Sequence, residues 1–73
     1  MTEKEDKTLR FKRLATKRTE RVLNSLRILG NCSNRSAYSY TDEEINKIFA
    51  AIEEQLRLVR GRFRKSLRRR FSL

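Results

Sequence analysis

Residues 41–63, TDEEINKIFAAIEEQLRLVRGRF, decide the fold of this chain. Their apolar side chains recur every three or four positions and project onto an arc of about 100° on a helical wheel, the pattern of an amphipathic helix. Thr41 and Glu44 have the spacing of a capping box, in which each side chain accepts a hydrogen bond from the other residue's backbone N–H. The pattern predicts a helix over about residues 41–68. Its apolar positions are Ile45, Ile48, Phe49, Ile52, Leu56, Val59 and Phe63.

A second amphipathic pattern lies upstream and projects onto an arc of about 60°. It predicts a helix over about residues 5–29, beginning between Glu3 and Thr8, where acidic residues suit a helix N-terminus. Gly30 is predicted to end this helix in the left-handed conformation. Residues 30–40 are mostly small and polar, which predicts a turn, with Asn31 and Asn34 satisfying its backbone. The apolar positions of the upstream helix are Phe11, Ala15, Val22, Leu26 and Leu29.

Two helices with apolar stripes of matching length, joined by a short polar connection, predict an all-α fold. The expected architecture is an antiparallel two-helix hairpin that forms a single domain over residues 1–73. A chain of 73 residues buries only about 60% of its unfolded surface when compact. We therefore expect the hairpin to dimerise into a four-helix bundle, or to be completed by a partner.

The composition argues against catalysis and against a metal or cofactor site. The chain contains no His and a single Cys, so it lacks the commonest general base and cannot form a zinc site or an internal disulfide. We expect no catalytic residue, no metal and no cofactor. The longest apolar run, residues 48–52, is far shorter than the roughly 20 residues that span a bilayer. A charged N-terminus and a lone Cys32 predict a cytoplasmic protein.

Positive charge is the strongest functional signal in the sequence. The formal net charge is +10, and residues 57–73 carry eight Arg or Lys and no acidic residue. Cations also follow the spacing i, i+3, i+7, i+11 along each helix, which forms two ridges away from the apolar stripes. Like charges at this spacing destabilise a helix, so the ridges indicate an external polyanion. The predicted nucleic-acid-binding residues are Arg10, Arg13, Lys17, Arg21, Arg57, Arg60, Arg64, Lys65, Arg68, Arg69 and Arg70.

The sequence favours a nucleic-acid-binding accessory protein, for DNA or RNA, that contacts phosphates with little base specificity. Arg predominates over Lys, and its planar guanidinium suits bidentate phosphate contacts. A protein-binding adaptor or inhibitor is the alternative, with Tyr38 and Tyr40 as partner-binding residues. Binding to an anionic membrane surface through Phe71 and Leu73 is a less favoured alternative.

Residues 11–63 also resemble a small family of proteins encoded on bacterial plasmids and on conjugative or integrative elements. The resemblance is carried by Arg18-Thr19, by LRILGNCSN at residues 26–34, and by YSYT at residues 38–41 leading into Ile48-Phe49. It implies a mobile-element setting and no particular activity. The Arg-rich extension beyond Phe63 lies outside the matching part.

Overall fold

The chain forms two long helices and no strand within residues 6–70. The computed structural model describes the backbone of those residues and the side chains of residues 6–67. Helix α1 spans Lys7–Gly30, a 3₁₀ turn spans Asn31–Ser33, and helix α2 spans Asp42–Arg70. The predicted all-α class with two helices is confirmed.

The chain divides into two units, Met1–Ser39 and Tyr40–Leu73, and each contains one α-helix. The sequence pattern predicts one hairpin domain over residues 1–73. The antiparallel packing of the helices and the dimerisation of the hairpin stay predictions.

Helix α1 begins where the acidic N-terminal sequence predicts. Asp6 is the N-cap residue, with extended backbone angles, and its Oδ1 accepts a hydrogen bond of 2.7 Å from the Leu9 N–H. This bond satisfies one of the N–H groups that lack a partner within the helix. Glu3, the upstream limit of the predicted start, lies outside the described residues.

The end of α1 differs from the prediction for Gly30. Gly30 has φ −59° and ψ −24° and belongs to the helix, so the left-handed cap is wrong. The N–H of the next residue, Asn31, donates to the carbonyl of Ile28, and the backbone continues into the 3₁₀ turn. The tighter 3₁₀ turn supplies hydrogen bonds to carbonyls at the end of the helix. In a left-handed cap, the N–H groups around the glycine would supply them instead. Cys32, in this turn, is exposed.

Substitution of Gly30 tests this right-handed ending. We expect Gly30→Ala to stabilise α1 by about 0.5–1 kcal/mol, because Ala loses less backbone entropy in a helix and its Cβ would meet nothing within 4 Å. Gly30→Asn should fall between Gly and Ala. Thermal and urea unfolding followed by circular dichroism measures the order. The reverse order, with Gly most stable and Ala least, would show a left-handed cap in solution.

Asn34 organises the connection between the helices, as predicted. Its Oδ1 accepts a 3.0 Å hydrogen bond from the Ser36 N–H. Its backbone carbonyl accepts hydrogen bonds from the N–H groups of Ala37 at 3.1 Å and Tyr38 at 3.0 Å. One asparagine therefore satisfies three backbone donors, as the turn-forming behaviour of this residue type allows.

The predicted capping box at the start of α2 is confirmed. The Glu44 N–H donates to the Thr41 Oγ1 at 3.1 Å, and the Thr41 N–H donates to the Glu44 Oε1 at 2.8 Å. Asp42 and Glu43 lie in the same first turn, where carboxylates are stabilised by the positive end of the helix dipole. Local side-chain chemistry alone therefore places this boundary.

Each helix, taken by itself, carries an exposed apolar stripe. None of the side chains of residues 6–67 is buried. Leu14, Ala15 and Leu29 of α1 and Ile45 and Ile52 of α2 are partly covered. The larger side chains of both stripes are more open. Their exposed fractions include 57% for Val22, 49% for Phe49 and 56% for Phe63.

Candidate nucleic-acid interface

The C-terminal half of α2 concentrates positive charge on an uninterrupted helix. Residues 57–67 contain five cations and no carboxylate, and all of these residues are exposed. Gly61 keeps a negative φ within the helix, so it does not break the surface. We call these cations the basic segment: Arg57, Arg60, Arg62, Arg64 and Lys65.

The helical repeat distributes the basic segment over two flanks of α2. At 100° per residue, Arg57, Arg60 and Arg64 project within about 60° of one another, and Arg62 and Lys65 lie on the other side of the polar face. The segment extends about 12 Å along the helix axis at 1.5 Å per residue. Duplex DNA presents about one phosphate charge per 1.7 Å of its own axis. Several phosphates therefore lie within reach of a segment of this length.

The helix dipole does not account for the basic segment. Dipole stabilisation of cations is confined to about the last turn of a helix. Helix α2 ends at Arg70, so residues 57–65 lie about one and a half to three and a half turns before its end. Residues 42–56 have the opposite character, with five carboxylates and one cation, Lys47. Helix α2 is thus electrically asymmetric along its length, and its positive half gains little from its own backbone.

Arg57 is the one member of the basic segment with a carboxylate partner among the described residues. Its Nε donates to the Glu54 Oε1 at 2.9 Å, and its Nη2 donates to the Glu54 Oε2 at 2.7 Å. This bidentate pair is exposed to solvent, with 69% of the Arg57 side chain and 55% of the Glu54 side chain accessible. Exposed pairs of this kind contribute little to stability.

Sequence reasoning missed the role of Glu54. It counted carboxylates only from residue 57 onward, whereas the partner lies three residues earlier, on the preceding turn. The signal that could have found it is the i,i+3 spacing of Glu54 and Arg57.

The ion pair changes the protonation equilibria of both side chains. The Arg57 guanidinium, through its hydrogen bonds, lowers the pKa of the Glu54 carboxyl, and a smaller desolvation effect acts in the opposite direction. The same hydrogen bonds raise the pKa of Arg57. Because the carboxylate is the favoured form, the pair stabilises α2 at neutral pH. This contribution is lost as the pH falls through the lowered pKa of Glu54, and Arg57 is then released.

A second ridge of cations lies on α1. Arg10, Arg13, Lys17 and Arg21 all belong to the same helix and are all exposed. They project onto an arc of about 80°, as the sequence pattern predicts. Beyond the ridge, Arg27 donates a hydrogen bond to the Asn24 side chain. Unit 1 therefore presents its own positive surface.

The two predicted partner-binding tyrosines belong to different units. Tyr38 lies in Met1–Ser39 and is 54% exposed, whereas Tyr40 begins Tyr40–Leu73 and is partly covered. The boundary between the two units therefore lies between the two tyrosines in the sequence.

Part of the predicted interface lies outside the described side chains. The backbone of Arg68, Arg69 and Arg70 continues α2, and their side chains lie beyond the described range. Phe71 and Leu73, the residues predicted to anchor a lipid-binding segment, also lie outside it. Within the described residues, neither helix is both long enough and apolar enough to cross a membrane.

Comparison with protein-family models, with curated proteins and with solved structures gave no match.

Proposed function

We propose that the chain binds nucleic acid by contacting phosphates, chiefly through the basic segment of α2. The observation that carries the proposal is the run of five exposed cations on one helix half that contains no carboxylate. Like charges on neighbouring turns repel one another, so this surface is stabilised when a polyanion supplies the counter-charge. The ridge on α1 provides further cations of the same kind.

The side chains of the basic segment favour phosphate contacts over base recognition. Four of the five are Arg, whose planar guanidinium can donate two parallel hydrogen bonds to a phosphate. Residues 57–67 contain no Asn or Gln, so contacts of the basic segment with base edges would be limited to those that Arg and Lys make with guanine. Contacts with phosphates position a protein on nucleic acid but carry no direct sequence information. We therefore expect similar affinities for unrelated sequences.

A salt titration of binding tests the proposal. If four to eight cations each neutralise one phosphate, the plot of log affinity against log salt concentration for duplex DNA should have a slope of about −4 to −7. The measurement uses fluorescence anisotropy with labelled duplex DNA, single-stranded DNA and duplex RNA, each in two unrelated sequences. A slope near zero, or no binding at low salt, would rule out the proposal. If the chain binds none of these nucleic acids but co-sediments with vesicles that contain anionic lipid, a membrane-surface function replaces the proposal.

Because Glu54 is paired with Arg57, we expect Glu54 to weaken nucleic-acid binding more than Glu53 does. Glu54→Gln removes a negative charge and also releases Arg57 for a phosphate, whereas Glu53→Gln removes only the charge. We expect Glu54→Gln to bind duplex DNA more tightly than Glu53→Gln by up to about tenfold at about 50 mM salt, with a slope steeper by about 0.9.

Glu53 is a matched control because it is adjacent, exposed and makes no ion pair with another described residue. The same anisotropy titration compares the two variants. Equal affinities would mean that Glu54 does not compete with phosphate for Arg57.

A further inference from the structure

The apolar stripe of α2 contains an unbroken coiled-coil seam. Six of its residues are separated alternately by four and three positions, which is the a/d spacing of a heptad repeat. All six positions are occupied by Ile, Leu, Val or Phe. The seam residues are Ile45, Phe49, Ile52, Leu56, Val59 and Phe63.

The seam lies on a surface that another helix can cover. Phe49 is 49% exposed, Val59 is 38% exposed and Phe63 is 56% exposed. Helix α1 lacks an equivalent seam, because the same spacing counted from Phe11 places Arg18 and Ser25 at two of its six positions. A polar or charged residue at such a position lowers the stability of a coiled coil. The better partner for the α2 seam is therefore a helix with the same unbroken pattern.

The charge distribution of α2 selects the orientation of such a partner. Residues 42–56 carry five carboxylates and one cation, and residues 57–67 carry five cations and no carboxylate. A parallel copy would place positive half beside positive half. An antiparallel copy places each positive half beside a negative half. Packed helices lie about 8–10 Å apart, which is within the screening length at about 0.1 M salt. The electrostatic energy therefore favours the antiparallel orientation.

We propose that α2 pairs with the α2 of a second copy of this chain in an antiparallel coiled coil. Centred near Glu54, this arrangement sets Ile45 opposite Phe63 of the second copy. The same register sets Phe49 opposite Val59 and Ile52 opposite Leu56, so each layer joins an a position to a d position. The pairing requires no nucleic acid, so it can be measured in the absence of nucleic acid.

The mass of the chain in solution, measured without nucleic acid, tests the pairing. Sedimentation equilibrium should give a concentration-dependent mass that rises from 8.8 kDa to about twice that value. Leu56→Gln, within the seam, should weaken dimerisation at least tenfold. Leu58→Gln is the matched control, since Leu58 is 47% exposed and lies off the seam; it should change dimerisation less than about twofold. Circular dichroism compares the helix content of the two variants.

Disulfide cross-linking tests the orientation without a disruptive polar substitution. In a Cys32→Ser background, Ile45→Cys and Phe63→Cys variants are prepared separately, then mixed and oxidised. An antiparallel pair gives the cross-link between the two different variants and little between identical ones. Cross-links between identical variants would overturn the antiparallel orientation. A mass that stays at one chain, or equal effects of Leu56→Gln and Leu58→Gln, would overturn the pairing and point to α1 or another protein as the occupant of the seam.

Discussion

Replacing Arg60 and Arg64 together by Gln is expected to lower the affinity for duplex DNA about 200-fold at about 50 mM salt and about 20-fold at about 200 mM salt. The values follow from counterion release, because each lost phosphate contact reduces the magnitude of the salt slope by about 0.9. Of the residues in the basic segment, these two give the clearest test of phosphate binding. Both are exposed, both lie on the same flank of α2, and neither makes an ion pair with another described residue.

A second double variant distinguishes the loss of a local binding surface from the loss of overall positive charge. Lys12→Gln with Lys47→Gln also removes two positive charges, but Lys12 lies off the α1 ridge and Lys47 lies in the acidic half of α2. We expect this control to lose less than about fivefold and to keep nearly the wild-type salt slope. Equal losses for the two double variants, measured by anisotropy over a range of salt concentrations, would show that only the net charge matters.

Two substitutions of Gly61, to Ala and to Pro, are expected to change the stability of α2 in opposite directions without altering any charge. Gly61 lies in the middle of the basic segment with right-handed backbone angles, and a Cβ there would meet nothing within 4 Å. Gly61→Ala should therefore stabilise the helix by about 0.5–1 kcal/mol. Gly61→Pro should be about 3 kcal/mol less favourable than Gly61→Ala, because proline removes one backbone hydrogen bond and clashes with the carbonyl of Arg57.

The same pair of variants tests whether phosphate binding needs the helix. If the two flanks of the basic segment act together, Gly61→Pro should bind duplex DNA at least tenfold more weakly than Gly61→Ala. Circular dichroism measures helix content, and anisotropy measures affinity under the same conditions. Equal affinities, with the helix lost only in the Pro variant, would mean that the cations bind as an unstructured polycation.

Features that depend on a few neighbouring residues were predictable from the sequence. The capping box of Thr41 and Glu44 is one example, because its two hydrogen bonds link residues only three positions apart. The backbone role of Asn34 is another, since its side chain reaches the Ser36 N–H two residues later. The apolar stripes and basic ridges also follow from the sequence once the helices are assigned, because the helical repeat alone sets which residues share a face.

Features that depend on a choice between alternatives of similar energy were not predictable. Glycine populates left-handed and right-handed backbone conformations about equally well, so the residue type of Gly30 could not decide between a left-handed cap and a continued turn. Arg57 had a choice of electrostatic partners, and its pairing with Glu54 depends on the rotamers that both long side chains adopt.

Residue type and the 3.6-residue repeat set the all-helical class, the start of each helix, and the division of α2 into a negative and a positive half, so these properties follow from the amino-acid sequence. Only the three-dimensional structure decided that Gly30 is right-handed and leads into a 3₁₀ turn, that Arg57 is already paired with Glu54, and that Arg60 and Arg64 are exposed. These outcomes depend on backbone angles and side-chain positions, which residue identity restricts but does not select.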